Sequence, residues 1–355
     1  MKIMTLVGTR PELIRLCILI EKLDKLVDHI FVYTNQNYDY NLSGKFFEEL
    51  KIREPNYYLE NKGFSIAKFL SNSLPELEKI LIEEKPDKLL VLGDTNSGLL
   101  ALLANKMSIP VYHMEAGNRC YDDRVPEETN RRIIDSLSTY NLPYTENSKQ
   151  NLLNSGYDKN HVFKTGNPIY EVLNKFESEI DCSNILSELV LPHKEFVLVT
   201  AHRAENVNSF GTLKNIINAL NYISTQYKVV FSVHPRTKQK IFAGGIEPSD
   251  KILMSEPFGF FDFVKLERTA KVAISDSGTV QEECCIFGVP SITIRNSTER
   301  QETIECGSNV LVGTDTATIT ATFDAVISRD YTWDPPQDYL IENVSDTVVN
   351  ILLGR

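Results

Sequence analysis

Six apolar runs in this chain each stop at a residue able to do chemistry, and no other feature restricts the fold so much. Val91-Leu92-Gly93 runs into Asp94, and Val111-Tyr112-His113-Met114 into Glu115. Val197 to Ala201 runs into His202-Arg203, and Phe231-Ser232-Val233 into His234. Val272-Ala273-Ile274 runs into Ser275-Asp276-Ser277-Gly278, and Ile292-Thr293-Ile294 into Arg295. Short apolar runs alternating with helical-period segments predict a mostly parallel sheet with helices on both faces. In open α/β sheets, ligands bind beyond the carboxyl ends of the strands. Carboxylates in the first half and His, Arg and Gly-Ser groups in the second therefore predict one anionic ligand held between two domains.

A chain of 355 residues is long for one core, so two domains are expected. The formal net charge of -11 argues against nucleic-acid or anionic-membrane partners. It leaves room for an anionic small ligand, because a local cluster of Arg and His overrides the global field. No apolar run approaches the roughly 20 residues of a membrane span. Met1-Lys2-Ile3-Met4 enters a strand directly, without a signal-peptide pattern, so a cytoplasmic protein is expected. The cysteines show no Cys-x-x-Cys metal spacing and are read as buried, reduced thiols.

Along the chain, Met1–Gly8 reads as a strand, Pro11–Leu26 as a helix and His29–Tyr33 as a strand. Ile66–Glu84 reads as a helix broken or kinked near Pro75. Ser97–Lys106 reads as one helix, and Pro126-Glu127 as a helix start. Gly166-Asn167-Pro168 punctuates the pattern, and a second alternation runs from Phe196 to Ser328. The expected division is 1–167, 168–340 and a C-terminal helix over 341–355 that packs back on the first half. Gly8-Thr9-Arg10-Pro11 stands where a dinucleotide fold would carry Gly-x-Gly-x-x-Gly, and no Walker-type loop is present. A nicotinamide cofactor or an ATP motor is therefore not expected.

Ser275-Asp276-Ser277-Gly278-Thr279 lies between a strand and a helix. Small residues let the backbone approach a phosphate, and a helix N-terminus offers N–H groups and partial positive charge. Glu282 and Glu283 lie one turn in, where a carboxylate can accept from ribose hydroxyls. Arg10, His202, Arg203, His234 and Arg295 at strand ends supply cations suited to a diphosphate. Each feature also has a plainer reading, as a capped helix or a surface cation. Asp94, Glu115 and Glu127 form a second constellation, since carboxylates in a desolvated site can act as acid or base. Their plainer reading is helix capping for Asp94 and Glu127, and a salt bridge from Glu115 to Arg119 or Arg131.

Gly8-Thr9-Arg10-Pro11-Glu12, Gly93-Asp94-Thr95, His113 to Gly117, Pro126 to Arg131, His202 to Asn206 and Ser275 to Gly278 occur in this order. Over roughly residues 1–313 the chain resembles the non-hydrolysing UDP-N-acetylglucosamine 2-epimerases. The resemblance implies two Rossmann-like domains, a GT-B-like fold, a UDP-sugar substrate, a homodimer and no cofactor or metal. Gln36 to Tyr40, Asn118-Arg119-Cys120, Arg124-Val125-Pro126 and Ser277-Gly278-Thr279 look like the branch acting on UDP-2-acetamido-2,6-dideoxy-L-hexoses, as in UDP-N-acetyl-L-fucosamine synthesis. The UDP-N-acetylglucosamine branch usually has Gly-Gln-His-Arg, Gly-Leu-Arg-Thr and Ser-Gly-Gly at three of these places, and Lys where this chain has Arg15.

The implied reaction expels UDP from C1 as a base removes the C2 proton, leaving a 2-acetamidoglycal, and then adds UDP back with protonation of the other face. By this likeness Asp94, Glu115 and Glu127 transfer protons. Arg10, His202, Ser277 and Gly278 grip the diphosphate, Glu283 takes the ribose, and Phe263 lies near uracil. Arg15, Arg203, His234 and Thr279 complete the expected substrate contacts. A D-gluco epimerase, a hydrolysing epimerase, a GT-B glycosyltransferase and a non-catalytic UDP-sugar sensor are the alternatives; fold alone does not separate them.

Overall fold

The computed structural model describes residues 1–36, 46–60 and 65–354. Asn37 to Tyr40, part of the segment compared above, lie outside the described residues, as does Arg355. The chain divides into two compact units, Met1–Asn174 with Gln337–Arg355, and Lys175–Pro336.

Each unit is built on a six-stranded parallel sheet. In the first, β1 (Lys2–Val7), β2 (Asp28–Tyr33), β3 (Tyr57–Tyr58), β4 (Lys88–Leu92), β5 (Val111–Met114) and β6 (Tyr140–Leu142) lie in the order β3-β2-β1-β4-β5-β6. In the second, β7 (Phe196–Thr200), β8 (Lys228–Ser232), β9 (Ile252–Ser255), β10 (Val272–Ser275), β11 (Ser291–Thr293) and β12 (Asn309–Leu311) lie in the order β12-β11-β10-β7-β8-β9. Both are the doubly wound order, whose winding reverses between the first and fourth strands. The switch points fall between β1 and β4, and between β7 and β10. The fold is α/β with two Rossmann-like domains, as expected.

The central strands are buried on both faces, so nearly every side chain is apolar. Met4, Leu6, Val32, Leu89, Val91 and Val111 form one core with Leu77, Leu81 and Ile134 from the helices. Val197, Val199, Phe231, Val272, Ile274 and Ile292 form another with Leu213, Ile217, Leu220 and Phe323.

The helix spans Ile66–Glu84 as expected and is continuous through Pro75, so of the two expected effects of the proline it is not broken there. A helix-interior proline costs about 3 kcal/mol. Phe69, Leu77, Ile80 and Leu81 are buried along one face, and full burial of such side chains is worth about 1.5–3 kcal/mol each. The buried face therefore outweighs the proline. The expected helix Ser97–Lys106 is two helices, Asn96–Leu99 and Ala101–Lys106. The bonds Gly98 N–H to Thr95 O and Leu100 N–H to Ser97 O, each 3.1 Å, tighten the chain there. Gly98 in this turn meets Ile134 so closely that a Cβ would stand 2.5 Å from its Cδ1. Cys17, Cys284 and Cys285 are buried thiols, but Cys182 is exposed, because it follows the short helix Glu177–Asp181 rather than lying in the core. Among the described residues, no helix is long and apolar enough to cross a membrane.

Candidate active site

In the first unit, two adjacent strand ends and one helix start carry the acidic candidates. Glu115 follows β5 with φ +67°, a left-handed conformation that costs a non-glycine residue about 1–2 kcal/mol. Its N–H is held by Leu142 O at 3.1 Å. Its carboxylate receives Arg15 Nη1 at 2.6 Å and Asn118 Nδ2 at 3.1 Å. Arg15 is itself buried, with its guanidinium over the Tyr144 ring. The expected salt bridge of Glu115 to Arg119 or Arg131 gives way to this pair: Arg119 joins Asp135 at 2.7 Å, and Arg131 joins Asp94 and Glu128. Arg15 comes from the helix Arg10–Leu26, 100 positions before Glu115 in the chain.

Asp94 follows β4 and Gly93, where φ is +75°. A Cβ on Gly93 would stand 3.5 Å from Glu115 Oε2, which measures how close the β4 turn comes to that carboxylate. Arg131 places Nε and Nη2 each 2.8 Å from Asp94 Oδ2, and Asn130 Nδ2 donates to the Asp94 carbonyl at 2.9 Å. Glu127 is half-buried in the first turn of the helix Pro126–Leu137. It lies four residues before Arg131, on the same face, so one helix start carries Glu127 and the groups that fix Asp94. Burial alone would push the buried Glu128 carboxyl up, but the Cys120 N–H, Arg132 and Arg131 outweigh it and hold the group below its usual range.

His113 is a buried strut beneath these turns. Its Nε2 is 2.8 Å from Gly93 O, and its Nδ1 is 2.9 Å from Asp135 Oδ1. Asp135 also accepts the Gly117 N–H at 3.3 Å, so one carboxylate anchors both ends of the Glu115 turn. Arg10 stands at the start of its helix, 5.0 Å over the Phe46 ring.

In the second unit, Asp276 organises the candidates. It is fully buried after β10 and accepts the His202 N–H at 3.1 Å, the Arg203 N–H at 3.0 Å and Asn206 Nδ2 at 2.9 Å. Arg203 Nε returns to the Asp276 carbonyl at 3.1 Å. The His202 side chain stays 56% exposed, with Nδ1 3.3 Å from Asp276 Oδ1. Ser277 is the N-cap of the helix Gly278–Phe287, yet its hydroxyl makes no capping bond. Gly278 packs under Glu299, where a Cβ would stand 2.9 Å from Oε1. Glu299 is in turn paired with Arg295 at 2.9 Å, and Arg300 with Glu282 at 2.5 Å.

Glu283 is buried beside Glu267, on the neighbouring helix Phe260–Thr269. Burial, and then the Glu283 charge and a hydrogen bond with it, push the Glu267 carboxyl well up. Phe263, one turn before Glu267, packs partly buried against the core cluster of Val280 and Cys284. His234 caps the helix Pro235–Ala243, accepting the Arg236 N–H at Nδ1 over 3.2 Å. Sequence reading missed Glu12, Asn130, Asp135 and Asp276 as parts of the site. For Asp276 the signal was present, an acid between two serines at a strand end.

A family model described as UDP-N-acetylglucosamine 2-epimerase matches residues 21–353. The UDP-N-acetylglucosamine 2-epimerase of Methanocaldococcus jannaschii is 38% identical over 348 residues, 95% of each chain. The UDP-2,3-diacetamido-2,3-dideoxy-D-glucuronate 2-epimerase of Pseudomonas aeruginosa is 35% identical over 320 residues, 88% of each. The crystal structure of the Methanocaldococcus jannaschii UDP-GlcNAc 2-epimerase in complex with UDP-GlcNAc and UDP superposes with a TM-score of 0.93 at 36% identity, covering 99% of both chains. The likeness extends to the GT-B-like, two-domain fold of such epimerases.

Proposed function

The chain belongs to the UDP-N-acetylglucosamine 2-epimerase family, and we propose that within it this protein inverts C2 of a UDP-2-acetamido-2,6-dideoxy-L-hexose. The coarser statement, a UDP-sugar 2-epimerase and so an isomerase, follows from that membership. The observation that carries the chemistry is the acid cluster, with Asp94 and Glu115 on adjacent strand ends and an arginine fixed to each.

C2 of an acetamido sugar has no neighbouring carbonyl to stabilise a carbanion. Elimination avoids that difficulty: a base takes the C2 proton as the C1–O bond breaks, and its electrons leave with UDP. The intermediate is a 2-acetamidoglycal. Re-addition of UDP to C1, with protonation at the opposite face of C2, gives the epimer. Asp94, Glu115 and Glu127 are the groups proposed to move these protons. Arg15 and Arg131 set the orientation of two of them before substrate arrives, so no reorganisation is needed as charge develops. Arg10, His202, and the Ser277 hydroxyl with the Gly278 N–H are proposed to hold the diphosphate, whose charge rises as it leaves. Arg203, His234 and Thr279 flank that grip, Glu283 takes the ribose, and Phe263 faces the base. Keeping both fragments bound makes their recombination effectively unimolecular. A homodimer in the cytoplasm completes the proposal, and static light scattering of the purified protein checks the first part.

The L-sugar reading rests on Asn118-Arg119-Cys120 after Glu115, on Thr279 after Gly278, and on Arg15 in place of lysine. Arg15 is buried at 2.6 Å from Glu115. A lysine there would put a point charge in place of a planar fork and present a different wall to the sugar. The second reading, interconversion of UDP-GlcNAc and its manno epimer, is favoured by the names of relatives at 38% and 36% identity. NMR of the protein with each UDP-sugar in D2O decides. The expected result is deuterium at C2 of both epimers of the 6-deoxy-L sugar, well above any turnover of UDP-GlcNAc. Efficient UDP-GlcNAc turnover with the L-sugars inert would return the protein to the second reading.

A further inference from the structure

We infer that Glu12 is a positioning residue that shapes the turn after β1, carrying Arg10, where it abuts the turn after β4, carrying Asp94. This rests on the roles proposed above for those two residues.

Glu12 is the third residue of the helix Arg10–Leu26 and only 2% exposed. In an ordinary helix start the N-cap side chain accepts an N–H from the first turn. Here the N-cap is Thr9, and its side chain makes no such bond. The direction is reversed: the Gly8 N–H donates to Glu12 Oε2 at 2.6 Å, and the Thr9 hydroxyl donates to Oε1 at 3.0 Å. One carboxylate thus shapes Gly8-Thr9-Arg10 from within. Asp94, in the turn after β4, is the nearby charge that faces the same carboxylate. β1 and β4 are hydrogen-bonded neighbours at the switch point. The turn has no second place to go: a Cβ on Gly8 would lie 1.9 Å from Ser97 Oγ and 2.5 Å from Thr34 Oγ1.

The charge is costly where it stands. Burial pushes the Glu12 carboxyl up to about 7, although the Gly8 and Thr9 bonds pull against it, and Asp94 adds to the push. Arg15, on the same helix, is committed to Glu115, and Arg131 from the helix Pro126–Leu137 is committed to Asp94. A carboxyl with a raised folded-state pKa contributes stability fully present below its unfolded value of 4.5 and lost as pH rises through about 7. Above neutrality the fold would be better served by a neutral side chain. Acceptor geometry toward Gly8 and Thr9 is what the carboxylate supplies in return.

The test uses the full chain, with Glu12→Ala, Glu12→Gln and Arg10→Ala. Glutamine keeps an oxygen for the Gly8 N–H and can donate to a reversed Thr9 hydroxyl; alanine keeps neither bond. Calorimetric titration with UDP should show Glu12→Ala weakened about 10-fold or more, the size of one lost charge-assisted bond. Its kcat on the UDP-sugar selected in D2O should fall as well, and Glu12→Gln should recover most of both losses. Between pH 4.5 and about 7 the melting temperature of the wild type should drop relative to that of Glu12→Gln, as the raised carboxyl requires, while the recovery of affinity and kcat in Glu12→Gln separates positioning from packing. Normal UDP affinity in Arg10→Ala would overturn the diphosphate assignment, leaving the kcat arm to judge Glu12 through Asp94. Glu12→Ala that folds with wild-type affinity and kcat would overturn the inference itself. If that variant does not fold, Glu12→Asp, which withdraws the carboxylate by one methylene, takes its place. Loss of affinity and kcat is then expected, and wild-type values would overturn the inference.

Discussion

Arg15 and Glu115 are 100 positions apart in the chain and 2.6 Å apart in space. Removing one partner of a buried pair leaves an uncompensated charge, at a cost of about 3–5 kcal/mol. Arg15→Ala should therefore lower stability by about that amount in urea unfolding, and adding Glu115→Gln should return part of it. Equal stabilities of the single and double variants would mean the pair carries no such coupling. The acids are expected to show the complementary pattern. Asp94→Asn, Glu115→Gln and Glu127→Gln should each lower kcat about 10²-fold or more while UDP affinity holds. Near wild-type turnover in all three would remove them from proton transfer. At this scale the sequence was informative about candidates and poor about partners. Asp94 and Glu115 were visible because each ends an apolar run. The partner of Glu115 was sought among Arg119 and Arg131, close in the chain, while the structure supplies Arg15 through the packing of a helix on the sheet. Glu12 stood in the sequence only as the end of Gly8-Thr9-Arg10-Pro11-Glu12, with no role of its own, although Thr9-x-x-Glu12 has the spacing at which a first-turn carboxylate reaches back over its cap.

Among elements, legibility followed position in the sheet. Interior strands are covered on both faces and read as continuous apolar runs, as β1, β4, β7 and β10 do. The strands without a clear signal were β3, β6 and β9, all at sheet edges. Tyr57–Tyr58 is only two residues long, and Tyr140–Leu142 carries Asn141 at its centre. Short, mixed edge strands are what a sheet tolerates where one side has no partner. The long helix Ile66–Glu84 was read with its bounds, but not as continuous through Pro75, since a buried face that only the fold reveals outweighs the proline's tendency to break it. The turn after β7 shows how one element shapes another. Asp276, after β10, binds the N–H groups of His202 and Arg203, so the turn on β7 is built by its neighbour. Asp276→Ala should leave those buried donors unpaired, each at about 1–3 kcal/mol. It should also let His202 and Arg203 drift, weakening UDP binding by an order of magnitude or more. Urea unfolding and calorimetric titration with UDP check the two halves separately. A variant that loses stability but binds UDP as before would show that the β7 turn does not contact the nucleotide.

The chain leaves its first unit after Asn174, forms the second, and returns at Gln337. The first unit is therefore sewn shut by its own C-terminal segment. The helix Val344–Gly354 packs on Arg10–Leu26, the helix that carries Arg10, Glu12 and Arg15. Lys22 pairs with Asp346 at 2.6 Å, the Ser345 N–H donates to Glu171 at 2.9 Å, and Lys88 Nζ reaches the Leu352 carbonyl at 2.6 Å. The exposed Lys22–Asp346 pair is worth little, on the order of 0–1 kcal/mol. The apolar face decides: Val344, Val348, Val349 and Leu352 are buried, and at about 1.5–3 kcal/mol each their transfer out of water totals on the order of 6–12 kcal/mol as an upper bound. A domain's whole stability is about 5–15 kcal/mol, so losing this helix should cost the first unit most of its margin. Truncation after Asn343 should turn unfolding in urea into two transitions. The earlier one belongs to the first unit and can be followed by hydrogen exchange in β1 and β4. The second unit, Lys175–Pro336, contains none of the deleted residues and should melt near its original midpoint. Epimerase activity should disappear with the first transition, because the helix bearing Arg10 and Arg15 loses its backing. UDP binding should fall with it only to the extent that Arg10 contributes. A truncated protein that unfolds in one transition at the wild-type midpoint would show that the returning helix is dispensable and that the first unit closes without it.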